Sequence, residues 1–106
     1  KLYYFDGTDW APSDADGVST ASGLLGVGLG TGNSDTVGVL VRGIVSFGTI
    51  ISGSNGDVLY LSTTTSSLTN TAPTGSGDII RVVGYLLDST NNVIFFNPAG
   101  SWVENA

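Results

Sequence analysis

The sequence predicts an all-β fold, a small antiparallel β-sandwich or barrel that begins with an N-terminal hairpin. Three observations carry this. Short runs of Val, Ile, Leu, Tyr and Phe recur at close spacing between clusters of Gly, Asn, Asp and Ser. Sixteen glycines in 106 residues, with many β-branched side chains, disfavour helix. No stretch of ten or more residues places apolar side chains three and four apart with helix-forming polar residues between them. The length fits one domain, residues 1–106, and nothing reads as a linker. Residues 1–12 are the one piece that stands as a hairpin peripheral to the rest.

The elements follow in order. Leu2-Tyr3-Tyr4-Phe5 is an aromatic strand, Asp6-Gly7 a turn that uses glycine's freedom at positive φ, and Thr8-Asp9-Trp10 the return, ended by Pro12. Tyr3 or Phe5 is placed to stack across the pair on Trp10. Residues 13–22 are a polar loop. Residues 24–29 alternate, with Leu25, Val27 and Leu29 on one face and Leu24, Gly26 and Gly28 on the other. That second face is stripped of side chains, which predicts close approach of another backbone. After a turn at residues 30–35, residues 37–47 read as one strand bent near Gly43, and Ile50-Ile51 close the stretch. Asn55-Gly56 marks a reverse turn. A strand at residues 57–62, a Thr-rich hairpin to a short strand near Leu68, and a loop at residues 73–77 come next. Residues 79–87 are the longest apolar strand and the predicted centre of the core. A turn at residues 88–92, a strand at residues 93–96 and a final pairing at Trp102-Val103 complete the chain.

Composition narrows function. Charged residues are 11% of the chain against 41% hydrophobic, so the surface relies on Ser, Thr, Asn and Gly for solvation. Low charge density predicts that other subunits cover part of that surface. The net charge is −6, and Lys1, Arg42 and Arg81 are the only cations. Three scattered cations form no basic stripe, which argues against nucleic acid and against anionic lipid. No apolar run approaches the roughly 20 residues of a membrane-spanning helix, and no signal-peptide pattern is present.

The chain has neither His nor Cys. It therefore lacks the nucleophile systems built on those residues and the usual zinc sites, and no cofactor is expected. Carboxylate pairs remain as a route to glycoside hydrolysis. Of the nine acids, Asp6, Asp9, Asp16, Asp35, Asp57, Asp78 and Asp88 sit beside Gly, Asn, Ser or Thr at predicted turns, where the ordinary role is an Asx turn. No enzyme activity is expected. Asp14-Ala15-Asp16-Gly17 offers two carboxylates for calcium. The Val, Thr and Leu that follow exclude a hand-type loop, which leaves a looser calcium site as the alternative to the default, a solvated turn. The glycines at positions 26, 28, 30 and 32 lead into a strand, unlike a phosphate-cradling loop, which opens a helix. Tyr3, Tyr4 and Trp10 are the candidates for a carbohydrate-stacking platform. Leu25, Val27 and Leu29 are the candidates for subunit contact.

One resemblance covers nearly the whole chain. It is carried by Tyr3-Tyr4-Phe5-Asp6-Gly7-Thr8-Asp9-Trp10 with Asp14-Ala15-Asp16, Leu24-Leu25-Gly26-Val27, Val39-Leu40-Val41-Arg42-Gly43-Ile44-Val45 and Gly56-Asp57-Val58-Leu59-Tyr60-Leu61-Ser62-Thr63-Thr64. Arg81-Val82-Val83-Gly84-Tyr85-Leu86-Leu87-Asp88, Ile94-Phe95-Phe96-Asn97-Pro98 and Trp102-Val103-Glu104 complete it. In this order the chain resembles modules of tailed-phage virion proteins, namely tail-fibre and spike-like chains and capsid decorations. The resemblance implies a structural virion protein on the particle surface, commonly a homotrimer, in contact with other virion proteins. The alternative it implies is a fibre tip that binds a host surface glycan. It implies no catalytic or binding residue. Absence of the oxidisable Cys and Met suits an extracellular particle.

Overall fold

A computed structural model describes residues 1–30, 38–48 and 52–106. Eleven strands are antiparallel wherever they pair among these residues: β1 (Leu2–Phe5), β2 (Trp10–Pro12), β3 (Leu25–Gly28), β4 (Val39–Leu40), β5 (Gly43–Ser46), β6 (Val58–Leu61), β7 (Leu68–Thr69), β8 (Ile79–Ile80), β9 (Val82–Asp88), β10 (Val93–Phe96) and β11 (Val103–Glu104). One four-residue helix, α1 (Val18–Ala21), lies in the loop after β2, which sequence reading left entirely irregular. The strands form a sheet in the order β2-β1-β3-β4, a second in the order β5-β10-β9-β6-β7, and a pair, β11-β8.

The N-terminal hairpin is not peripheral. β1 pairs with β2 on one side and β3 on the other, which makes it an inner strand. Leu2 is fully buried. Strand alternation explains the division of its side chains. Leu2 opposite Val27 and Tyr4 opposite Leu25 turn inward, while Tyr3 opposite Gly26 and Phe5 opposite Trp10 turn outward.

Both large sheets feed one core. Leu2, Leu25 and Val27 from the first join Leu59, Leu61, Leu68, Val83, Leu86, Ile94 and Phe96 from the second. In the second sheet one inner row reads Gly43, Phe96, Gly84 and Leu59 across β5, β10, β9 and β6. Phe96 thus has glycine on both neighbouring strands, and the row alternates small and large residues, as a closely packed interior requires. A side chain at Gly84 would run into the backbone carbonyl of Phe95.

Two predicted strands are each broken where the chain changes sheet. Residues 37–47 are not one bent strand. β4 belongs to the first sheet and β5 to the second, with a bend at Val41 and Arg42 between them and Gly43 at φ +141°. Residues 79–87 divide likewise into β8, which pairs with β11, and β9, the middle strand of the second sheet. Arg81 is the dividing residue and is 5% exposed. Its Nε donates to the Ala99 carbonyl at 2.9 Å and its Nη1 to the Ala21 carbonyl, at the end of α1, at 2.8 Å. Burial lowers its pKa from the ordinary guanidinium value by desolvation. Val37 and Ile50-Ile51, assigned to strands by sequence, and most of the turn at residues 30–35 lie outside the described residues.

A second link stitches the sheets together. The Ser66 N–H donates to the Ser13 carbonyl at 2.8 Å, and the Ser66 carbonyl accepts from the Leu2 N–H at 3.0 Å. Ser66 holds φ +61° to do so, a conformation uncommon for a residue with a side chain. Ser13, fully buried, donates its hydroxyl to the Leu2 carbonyl at 2.9 Å.

Arg81→Ala leaves the Ala21 and Ala99 carbonyls without their donor. We predict a loss of about 2–4 kcal/mol in urea unfolding, from unsatisfied buried acceptors and lost packing. A midpoint unchanged from wild type would show that the clamp contributes nothing.

Candidate functional site

The acids come first, because catalysis would need them. The expected turn roles are seen at four positions. Asp6 Oδ1 accepts from the Thr8 and Asp9 N–H groups at 2.9 and 2.7 Å. Asp57 Oδ2 accepts from the Ser54 N–H at 2.9 Å, Asp78 Oδ2 from the Gly75 N–H at 2.9 Å, and Asp88 Oδ1 from the Thr90 N–H at 3.0 Å. Asp14 does the same for the Asp16 N–H at 3.0 Å, and its other oxygen accepts from the Thr65 hydroxyl at 3.0 Å. Backbone donors from Asp9 and Thr8 hold the Asp6 carboxyl below the ordinary range, and the Asn91 side chain does so for Asp88. Asp16 is shifted upward, by loss of hydration first and by the charge of Asp14 second. Among the described residues no three acids are placed to hold a metal ion together. Asp35 lies outside them.

The predicted subunit-contact trio divides. Leu25 and Val27 are 1% and 2% exposed and belong to the chain's own core, so they cannot meet a second subunit. Leu29, past the end of β3, is 50% exposed. The stripped glycine face is also filled from within. A Cβ at Gly26 would collide with Val39 and meet the Trp10 ring at 3.1 Å, and one at Gly28 would meet the Tyr3 ring at 3.0 Å. Side chains of the same sheet cover these glycines, where sequence reading expected another backbone. The physical reason is cross-strand reach: an aromatic ring needs more room than its own position supplies, and glycine on the neighbouring strand provides it.

The predicted stacking trio divides too. Tyr4 points inward and packs against the core. Tyr3 and Trp10 share the outer face, both half-buried. Phe5, not among the candidates, joins them there, with its ring centroid 5.3 Å from that of Trp10 at an interplanar angle of 57°. Of the two partners predicted for Trp10, Phe5 is the one that makes the contact.

The larger feature lies on the outer face of the second sheet and was not among the candidates. Across the outer face of the second sheet, Ile44 of β5 stands opposite Phe95 of β10, Phe95 opposite Tyr85 of β9, and Tyr85 opposite Val58 of β6. Ile44 is 68% and Tyr85 46% exposed, and Phe95 and Val58 are half-buried. Leu87, which the irregular β9–β10 register leaves without an opposite residue, is also exposed. A signal for this face was present in the sequence. Residues 82–87 and 93–96 are apolar at both parities, the pattern of a strand covered on both faces, whereas an antiparallel strand facing water alternates apolar with polar.

No protein-family model, curated protein or solved structure matches this chain.

Gly26→Ala forces a methyl group against Val39 and Trp10. We predict a loss of about 1–3 kcal/mol from overpacking, with a change in the near-ultraviolet circular dichroism of the Phe5–Trp10 pair. Unchanged stability and spectrum would contradict the covered-glycine account.

Proposed function

We propose that the chain is a structural, non-catalytic module of a phage-like particle and acts through protein–protein contacts at the particle surface. The observation that carries the contact role is the uncharged outer row Ile44, Phe95, Tyr85 and Val58. Leaving such a row in water is unfavourable by about 25 cal/mol per Å² of apolar area, and a contiguous exposed apolar face on a small domain marks an interaction site. The acids support the non-catalytic role: Asp6, Asp57, Asp78 and Asp88 each close a turn on their own backbone neighbours. The placement in a particle rests on the sequence resemblance to tail-fibre, spike-like and decoration modules, and the low charge of the chain accords with it.

Incorporation tests this reading. Particles assembled with the Tyr85→Lys chain should carry at least tenfold less of it than particles assembled with wild type, while the variant's far-ultraviolet circular dichroism stays unchanged. Equal incorporation would remove the face from assembly.

A specific observation favours one second reading, the carbohydrate-binding tip. Tyr3, Phe5 and Trp10 share one outer face, and aromatic faces stack on sugar rings. Against it, Tyr3 and Trp10 already cover Gly28 and Gly26. A host-surface glycan retained by wild type and lost with Trp10→Ala would establish the tip role, and an array without signal would dismiss it.

A further inference from the structure

We propose that Asn55 is a latent deamidation site, closed while its turn is docked on β9 and opened when the turn lifts away. Of the seven asparagines in the chain, only Asn55 is followed by glycine, and the chemistry depends on that neighbour. The backbone nitrogen of residue 56 attacks the side-chain carbonyl carbon of Asn55. A side chain on residue 56 would crowd that approach, and glycine has none. The N–Cγ bond forms and the Cγ–Nδ2 bond breaks. The Gly56 N–H gives its proton to water, and Nδ2 takes one from water and leaves as ammonia. Water then opens the imide ring on either side, to aspartate or to isoaspartate, in which the main chain runs through the side-chain carbon. The turn itself requires the glycine. Gly56 stands at φ +93°, where side chains are disfavoured, and the Asp57 N–H closes the turn on the Ser54 carbonyl at 3.0 Å. Asn55 and Gly56 are both exposed, so water reaches the site.

Two hydrogen bonds restrain the reacting groups. The Gly56 N–H donates to the Leu86 carbonyl of β9 at 2.6 Å. Attack needs this proton removed and the nitrogen turned toward Asn55, so the bond must break first. Asn55 Oδ1 accepts from the Ser89 N–H at 2.9 Å, which ties the other reacting group to the turn after β9. Both anchors are held in their own right. Leu86 is fully buried and its N–H donates to the Asp57 carbonyl at 2.9 Å. Asp88 Oδ1 accepts from the Thr90 and Asn91 N–H groups and so shapes the turn that carries Ser89. The glycine that the turn requires creates the liability, and β9 restrains it. The two products differ in what they leave behind. Aspartate at position 55 keeps the main chain and an Oδ1 acceptor. Isoaspartate adds a main-chain carbon before Gly56, which shifts the Gly56 N–H off the Leu86 carbonyl and prevents the turn from docking as before. The modified chain is thus a lasting record that the turn has opened.

Peptide mapping by mass spectrometry tests this on the full chain at neutral pH, folded and in urea beyond its unfolding midpoint. A turn opens and closes far faster than an asparagine deamidates, so the folded rate follows the open population. The expected result is conversion of Asn55 at least about tenfold slower in the folded chain, with amide hydrogen exchange of Gly56 slowed by a similar factor, because both need the same N–H released. Equal conversion in the two states, or a Gly56 amide that exchanges freely in the folded chain, would overturn the proposal. The products are compared by the same amide. The Asn55→Asp chain should keep Gly56 protected, whereas the isoaspartyl fraction of the urea-treated chain, refolded, should lose at least about tenfold of that protection. Equal protection in both would overturn the claim that the modified turn cannot dock again.

Discussion

The shared core between the two large sheets is the constraint from which the rest of the molecule follows. Strand side chains alternate, so committing Leu2, Leu25 and Val27 from one sheet and Leu59, Val83, Leu86, Ile94 and Phe96 from the other to the interior fixes what every intervening position must do. Tyr3, Phe5 and Trp10 are sent out on one side, and Ile44, Tyr85 and Phe95 on the other. In a module that lived alone, the outward positions would carry the charge. Here the chain has three cations and nine acids in all, and the acids with clear partners are used to close turns. The exposed apolar face is the consequence of satisfying the core with a sequence that has little charge to place on its surface.

The two outer faces are nevertheless different. On the first sheet, glycines at positions 26 and 28 let the aromatic rings lie down on the sheet, so that much of their area is covered within the chain. On the second sheet the corresponding space is already used by side chains: Ile44, Phe95, Tyr85 and Val58 stand in an unbroken row, and Ile44 and Tyr85 remain open to solvent. Glycine on the first sheet turns an apolar face inward on itself; its absence from the second row leaves Ile44 and Tyr85 of that face exposed. The inner row of the second sheet uses the same device, with Gly43 and Gly84 on either side of Phe96. Glycine in this chain is therefore a packing residue at these positions as much as a turn residue.

Much of the fold was legible in the sequence, and the exceptions have physical causes. The β1–β2 hairpin, the Asn55-Gly56 turn with Gly56 at φ +93°, the β6–β7 hairpin and β10 follow from turn chemistry and period-two patterning, which are local. The changes of sheet at Arg42 and Arg81 were not legible, because each falls within a continuous β-prone run and only tertiary partners reveal the break. For Arg81 those partners are the carbonyls of Ala21 and Ala99, 60 and 18 residues away in sequence. The site was less legible than the fold. Leu25 and Val27 alternate as an interface strand would, but so does a core strand, and pattern alone does not say which side of a sheet faces the core. Tyr85 lies in the run read as the centre of the core, and Phe95 in one read as a strand with no face assigned to it.

The central claim is that the row from Ile44 to Val58 is a contact surface, open in the isolated chain and closed when the chain meets its partner. Carbene footprinting of the free chain at low concentration and of the native assembly reads this directly, residue by residue. The account predicts strong labelling of Ile44 and Tyr85 in the free chain and several-fold protection of both in the assembly, with Trp102 as an exposed reference on another part of the surface. Equal labelling of Ile44 and Tyr85 in the two states would contradict it.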